Sequence, residues 1–192
     1  MKTLVFATNN QHKLEEVQAM VGTQFQLKSL RDIGCIAEIP ETGTTFEENA
    51  SQKSRYIFEH FNVDCFSDDS GLEVKALNNE PGVYSAHYSG SRDTETNMQL
   101  VLDKLGDSAD RSARFRCVIS LILDGKEHRF EGSVEGDITL SRSGTAGFGY
   151  DPIFRPQGYA ATFSEMTSEQ KNAISHRGRA MAKLVQFLSE LR

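Results

Sequence analysis

Residues 113–125 read Ala-Arg-Phe-Arg-Cys-Val-Ile-Ser-Leu-Ile-Leu-Asp-Gly, and this stretch decides the fold class. Ala113, Phe115, Cys117, Ile119, Leu121 and Leu123 fall on alternate positions, while Arg114, Arg116 and Ser120 take the other face. A side-chain period of two is that of a β-strand with one buried and one polar face. Asp124-Gly125 is a hairpin turn pair, because both residues tolerate positive φ. A partner strand is expected from Glu127 to Val134, so the chain contains an antiparallel hairpin.

The beginning of the chain is different. Leu4-Val5-Phe6-Ala7, within Lys2 to Thr8, is apolar without alternation. That pattern suits a strand covered on both faces. Helical spacing follows at once over 11–21, where Leu14, Val17 and Val21 share a face. A second helix is expected over 45–61, opening with Thr45 and Glu48 at capping-box spacing. A third runs from Asp93 to the stop at Gly106. A last one starts near Ser175 and carries Ala180, Leu184, Phe187 or Leu188, and Leu191. Residues 141–151 are glycine-rich and predict an irregular loop. Strands of both kinds interleaved with helices predict an α/β protein with a mixed sheet. No repeat, low-complexity tract or linker interrupts the chain, which at 192 residues is one domain or one two-lobed domain.

Composition narrows the partners. The net charge of −6 argues against a nucleic-acid polymer, whose phosphates call for a basic face. A single nucleotide needs only a local group of cations. No apolar run reaches membrane-span length, so no membrane partner is expected. The amino-terminal apolar run reads as a strand and not as a secretory signal, which makes the cytoplasm the expected compartment. Three cysteines, at 35, 65 and 117, are odd in number and widely spaced, with no CxxC pair. They read as core thiols, not as a zinc site or a disulfide framework.

Four segments carry chemistry. Thr8-Asn9-Asn10 joins the first strand to a helix, and a helix amino terminus attracts anions. Asn10 adds an amide and Lys13 a charge one turn in, although Asn and Thr are also plain caps. Lys53 shares the stripe of Phe46, Ala50, Ile57 and Phe61, so it either snorkels to water or meets an anion. Asp68-Asp69 ends a buried strand. With Ser70-Gly71 turning the chain, both acids can face one site and hold a hard cation such as Mg2+ beside substrate phosphates. Glu41 and Glu38 are further candidate ligands, and an Asx-type turn is the alternative for the aspartate pair. In Gly147-Phe148-Gly149-Tyr150-Asp151, Phe148 can stack on a base and Asp151 can accept from a base-edge N–H; the alternative is a packed loop aromatic. Lys171, His176 and Arg177 surround the start of the last helix, where Arg and Lys are the usual donors to purine O6 and N7. His12, His60, His87 and His128 read as structural when taken singly.

Taken together, these segments resemble the inosine triphosphate pyrophosphatase family over nearly the whole chain. The resemblance rests on Thr8-x-Asn10-x-x-Lys13, Glu41-Thr42-Gly43-x-x-Phe46-x-x-Asn49-Ala50-x-x-Lys53 and Ser67-Asp68-Asp69-Ser70-Gly71-Leu72. It continues in Pro81-Gly82-Val83-Tyr84-Ser85-Ala86, Gly147 to Phe154, Glu165-Met166-Thr167, Lys171-Asn172 and Ser175-His176-Arg177-Gly178. It implies an elongated, two-lobed α/β fold with a long mixed, twisted sheet flanked by helices and a substrate cleft between the lobes. It also implies a homodimer. The implied reaction is Mg2+-dependent cleavage of ITP, dITP or XTP to the monophosphate and pyrophosphate. Carried over by motif, Thr8, Asn9, Asn10, Gln11, His12, Lys13 and Lys53 hold phosphates, Asp69 is catalytic base and metal-linked acid, and Ser70 touches substrate. Phe148, Gly149, Tyr150, Asp151, Lys171, His176 and Arg177 surround the base. Asp69, with Glu41 or Asp68, would ligate the metal. Asn9 stands where many members have Gly, His87 where the pattern has Arg, and Ser168 where Pro is frequent at a helix start. Two other functions stay open at this point: a pyrophosphatase for other modified nucleotides, and a nucleotide-binding module without turnover.

Overall fold

The computed structural model describes residues 2–9, 14, 15, 17, 18, 21 and 23–191. Strands β1 (Lys2–Phe6) and β2 (Phe25–Lys28) come first, followed by α1 (Phe46–Phe61) and β3 (Cys65–Val74). Then come β4 (Glu80–Pro81), α2 (Thr94–Leu105), β5 (Ser112–Leu123), β6 (Lys126–Ile138) and β7 (Phe154–Pro156). Two helices close the chain, α3 (Ser168–Ile174) and α4 (His176–Glu190). In the expected 11–21 helix the described residues 14, 15, 17, 18 and 21 are helical, with Val17 and Val21 buried.

The sheet is mixed, as expected. Its order is β2-β1-β3-β5-β6-β7, with β4 paired to β3 off that path. β1 runs parallel to both β2 and β3, which explains its unalternating run: Leu4, Val5 and Phe6 are fully buried. β4 and β7 are antiparallel to β3 and β6. At the β5–β6 turn Asp124 has φ 49° and Gly125 φ 77°, the left-handed pair the hairpin needs.

The chain divides into two compact units. One holds residues 1–69, 118–131 and 180–192; the other holds 70–117 and 132–179. The chain passes from one to the other inside β3, β5, β6 and α4, and Asp69 and Ser70 are the last and first residues on either side of the first passage. The first unit's core includes Val5, Leu30, Cys35, Ile57, Cys65 and Ile122. Phe6 stacks on Phe66 at 4.4 Å. The second unit packs Leu72, Met98, Val101, Ile138 and Ile153 around Phe115, Phe154 and Phe163. Each such side chain contributes about 1.5–3 kcal/mol on burial.

α1 begins where its cap predicts. Thr45 accepts from the Glu48 amide, Glu48 closes the box on the Thr45 amide, and left-handed Asn62 ends the helix. β5 departs from expectation in its second half. Ser120 is fully buried; its hydroxyl meets Ser54 at 2.7 Å and donates to Glu127 at 3.0 Å. Both faces are covered there, so the alternation stops at Cys117. All three cysteines are free and buried. Burial, helped by the charge of Asp64, pushes the Cys65 thiol up to about 12, which keeps it protonated and inert.

Candidate active site

In the first unit the site is built by one face of α1, the strap before it and β3. Ser67 donates to the Ala50 carbonyl at 2.5 Å, which pins β3 to α1. Two residues on, Asp69 leaves from the same face of the strand. Its Oδ2 accepts from Asn49 Nδ2 at 3.1 Å. β3 runs unbroken through Ser70-Gly71, so the turn expected there does not form. One helical turn beyond Asn49, Lys53 Nζ meets Glu41 Oε1 at 3.1 Å, with side chains 12% and 46% exposed. Of the two fates foreseen for Lys53, it therefore takes the anion. Asn49 Oδ1 also accepts from the Gly43 amide at 2.8 Å, so the strap, the helix and the strand are joined at one amide.

The segment after β1 is held by backbone. Ala7 donates to the Phe66 carbonyl at 2.8 Å, and Thr8 accepts from Leu30 at 3.1 Å. Asn9 Oδ1 accepts from the Arg31 amide at 3.0 Å, which ties this loop to the 31–33 turn. Asn10, Gln11, His12 and Lys13 lie outside the described residues.

The second unit assembles the aromatic and cationic residues. Arg177 Nη2 donates to Ser70 Oγ at 3.1 Å. Ser175 caps α4 by accepting from Gly178 at 3.1 Å. Gly178 is required there: a Cβ would stand 2.2 Å from the Asn172 carbonyl, so α3 and α4 break sharply only with no side chain at 178. His176 is buried and stacks on Phe115 at 4.9 Å. Asp151, 3% exposed, is the hub of the loop. Its Oδ2 accepts from the Phe148 amide at 2.9 Å and from Lys171 Nζ at 2.5 Å. Gly147, at φ +81°, makes this possible, since a Cβ would lie 2.2 Å from that oxygen. Lys171 Nζ sits 4.5 Å from the Phe148 centroid, and Phe148 is 65% exposed. Gly149 is also left-handed, at φ +60°. Tyr150 is buried, and its hydroxyl donates to the Ser85 carbonyl at 2.7 Å. Burial raises its pKa, so it stays a neutral donor.

Asp151 Oδ2 and the Tyr150 hydroxyl are thus taken up by protein partners, whereas Phe148 is largely exposed to solvent. Asn49 is the residue that the chemistry-led reading of the sequence passed over. The signal was an amide on a helix stripe otherwise made of Phe46, Ala50 and Ile57. Among the described residues no group of three or more His, Cys, Asp or Glu is assembled. The carboxylates of Asp69 and Glu41 still fit Mg2+, which takes one or two carboxylates and completes its shell with water and substrate phosphates.

Comparison with known proteins gives a family and a fold. A profile of the Ham1 family matches residues 4–187. The dITP/XTP pyrophosphatase of Flavobacterium johnsoniae is 47% identical over 187 residues, covering 97% of each chain. That of Bacillus licheniformis is 44% identical over 99% of this chain and 100% of its own. The structure of the Staphylococcus aureus Ham1 protein superposes with a TM-score of 0.95 at 40% identity, with both chains covered in full.

Proposed function

Because the chain belongs to the Ham1 family, we propose that it hydrolyses the triphosphates of deaminated purines, ITP, dITP and XTP, to the monophosphate and pyrophosphate. The observation that carries this reading is a pair of consecutive residues. Asp69 is bonded to the α1 amide beside the Lys53–Glu41 pair, and Ser70 is bonded to Arg177. A carboxylate suited to phosphate chemistry and a guanidinium suited to an oxo-purine are thereby anchored on neighbouring positions of one strand.

Asp69 and Glu41 would hold a Mg2+ ion, which when bound neutralises charge on the triphosphate. Asp69 takes the proton of the water that attacks the α-phosphorus, and the bond from that phosphorus to the bridging oxygen breaks. Lys53 exchanges Glu41 for the departing pyrophosphate, with Lys13 and the Thr8–His12 segment gripping the same phosphates. Positioning and charge stabilisation do most of the work. The open face of Phe148 stacks on the base, worth about 1–3 kcal/mol. Arg177 carries five N–H donors, one of them bonded to Ser70, and Lys171 carries three, one of them bonded to Asp151. An oxo group at C6 accepts from them. An adenine amine leaves them unpaired, at a cost of about 1–3 kcal/mol.

The homodimer is proposed on the family resemblance. No described helix is long and apolar enough to cross a membrane; we place the enzyme in the cytoplasm, with the nucleotide pool.

The test is a panel of nucleoside triphosphates assayed for pyrophosphate with Mg2+ and again with EDTA. Fast release from ITP, dITP and XTP, slow release from ATP and GTP, and silence in EDTA support the reading. Preference for a modified pyrimidine, or binding of ITP without turnover, overturns it.

A further inference from the structure

We propose that Asn49 is a positioning residue for the divalent ion, setting Asp69 and the Glu41 strap in register through one buried amide. The inference rests on the reading of Asp69 and Glu41 as the ion-holding carboxylates. Asn49 is 3% exposed and lies on the core-facing stripe of α1, where an apolar residue would pack as well. Burying an amide is costly unless its polar atoms are used. Here both ends are used. Oδ1 accepts from the Gly43 amide at 2.8 Å, and Nδ2 donates to Asp69 Oδ2 at 3.1 Å.

The orientation enforces itself. A flipped amide would set NH2 against the Gly43 N–H and oxygen against a carboxylate, and both contacts repel. The strap is fitted to receive this group: a Cβ on Gly43 would stand 2.8 Å from Asn49 Oδ1 and 2.5 Å from Glu48 Cβ. Thr42 and Thr44 donate their amides to Gln52 at 2.9 Å and to Glu48 at 2.7 Å, so three α1 side chains hold residues 42–44. Of these three, Asn49 is the one that also bonds the strand carboxylate. Glu41 leaves this strap immediately before Thr42, and Lys53 meets it one helical turn after Asn49. Groups that orient a metal ligand from behind typically change metal affinity by about 10–100-fold when removed.

Mn2+ serves as the probe. Its free-ion electron paramagnetic resonance signal is followed while it is titrated into protein saturated with α,β-methylene-ITP, so that no turnover occurs. Asn49→Leu and Gly43→Ala are expected to retain Mn2+ about 10–100-fold more weakly than wild type. Asp69→Asn is expected to lose it almost entirely. Ile57→Val, a trimming of the same helix's buried face, is expected to retain it unchanged. Wild-type retention by Asn49→Leu, with loss in Asp69→Asn, overturns the role of Asn49 and leaves the function standing. Retention by Asp69→Asn overturns both. Weakening in Ile57→Val to match Asn49→Leu reduces Asn49 to a stability residue and overturns the inference. If Asn49→Leu does not fold, undiminished retention by Gly43→Ala overturns it.

Discussion

The two sets of candidate residues, one in each unit, are built on opposite plans. In the first unit, Lys53 is paired with a Glu41 carboxylate that is 46% exposed, a partner that can be exchanged. In the second, Asp151 is 3% exposed and bonded at once to a lysine and a backbone amide, a partner that cannot. Fully exposed ion pairs hold by only about 0.2–1 kcal/mol, and the half-exposed Glu41 carboxylate brings its pair nearer to that end than Asp151 brings its own. Removing one member of a buried, hydrogen-bonded pair costs about 3–5 kcal/mol. The difference matches the two tasks proposed for them. Groups that handle phosphate and leaving pyrophosphate must change partners in each turnover. Groups that select a base must stand still.

Substitutions should therefore fall into two kinds. The largest effect is expected from Asp69→Asn, which should lower kcat by about 10²–10⁴-fold, the usual worth of a general base, with little change in melting temperature. Steady-state kinetics with a thermal melt checks this, and near-normal kcat would break the first half of the comparison. Next comes Arg177→Ala. It should lower the ITP-to-ATP ratio of kcat/KM by about 5–150-fold, the rate equivalent of one unpaired donor, by slowing ITP more than ATP. An unchanged ratio would show that Arg177 does not read the base. Phe148→Ala should raise KM with kcat nearly constant, by a factor equivalent to about 1–3 kcal/mol. A fall in kcat alone would move the ring from binding to chemistry.

The smallest effect is one of stability, and it lies behind α1. Burial alone would push the Glu127 carboxyl up. Hydrogen bonds from Ser51, Arg55, Arg129 and Ser120 outweigh it and hold the group at about 2. A lowered folded-state pKa gives stability that is fully present above the unfolded value of about 4.3 and is lost as pH falls from there toward 2. Wild type should thus lose melting temperature over that window. Glu127→Gln should melt lower at pH 7 and show a flatter acid limb. Parallel acid limbs would remove Glu127 from the network.

Much of this was legible in the sequence, for local reasons. The Thr45–Glu48 box, the Asp124-Gly125 turn and the Asp93-to-Gly106 helix are each decided by residues within a few positions of one another. What was not legible depended on distant partners. Ser120 looks like a surface serine until α1 brings Ser54 to it and the hairpin brings Glu127. Ser70-Gly71 looks like a turn until strand pairing draws it straight. The helix start at Ser168 is as expected, but its separation from α4 depends on a close approach at Gly178, which local residues do not announce. Leu191, expected on the buried stripe, is 49% exposed because α4 has ended one residue before it. Phe148, Lys171 and Arg177 were picked out by chemistry, and Asn49 escaped because its work is to hold other groups.

Hydrogen exchange in the presence of α,β-methylene-ITP tests most directly whether both sets of residues engage a single molecule. Slowed exchange in residues 41–53 and in 147–151 and 171–177, rising together along one nucleotide titration, is the predicted result. Protection confined to one of these groups, or reached at separate nucleotide concentrations, would contradict it.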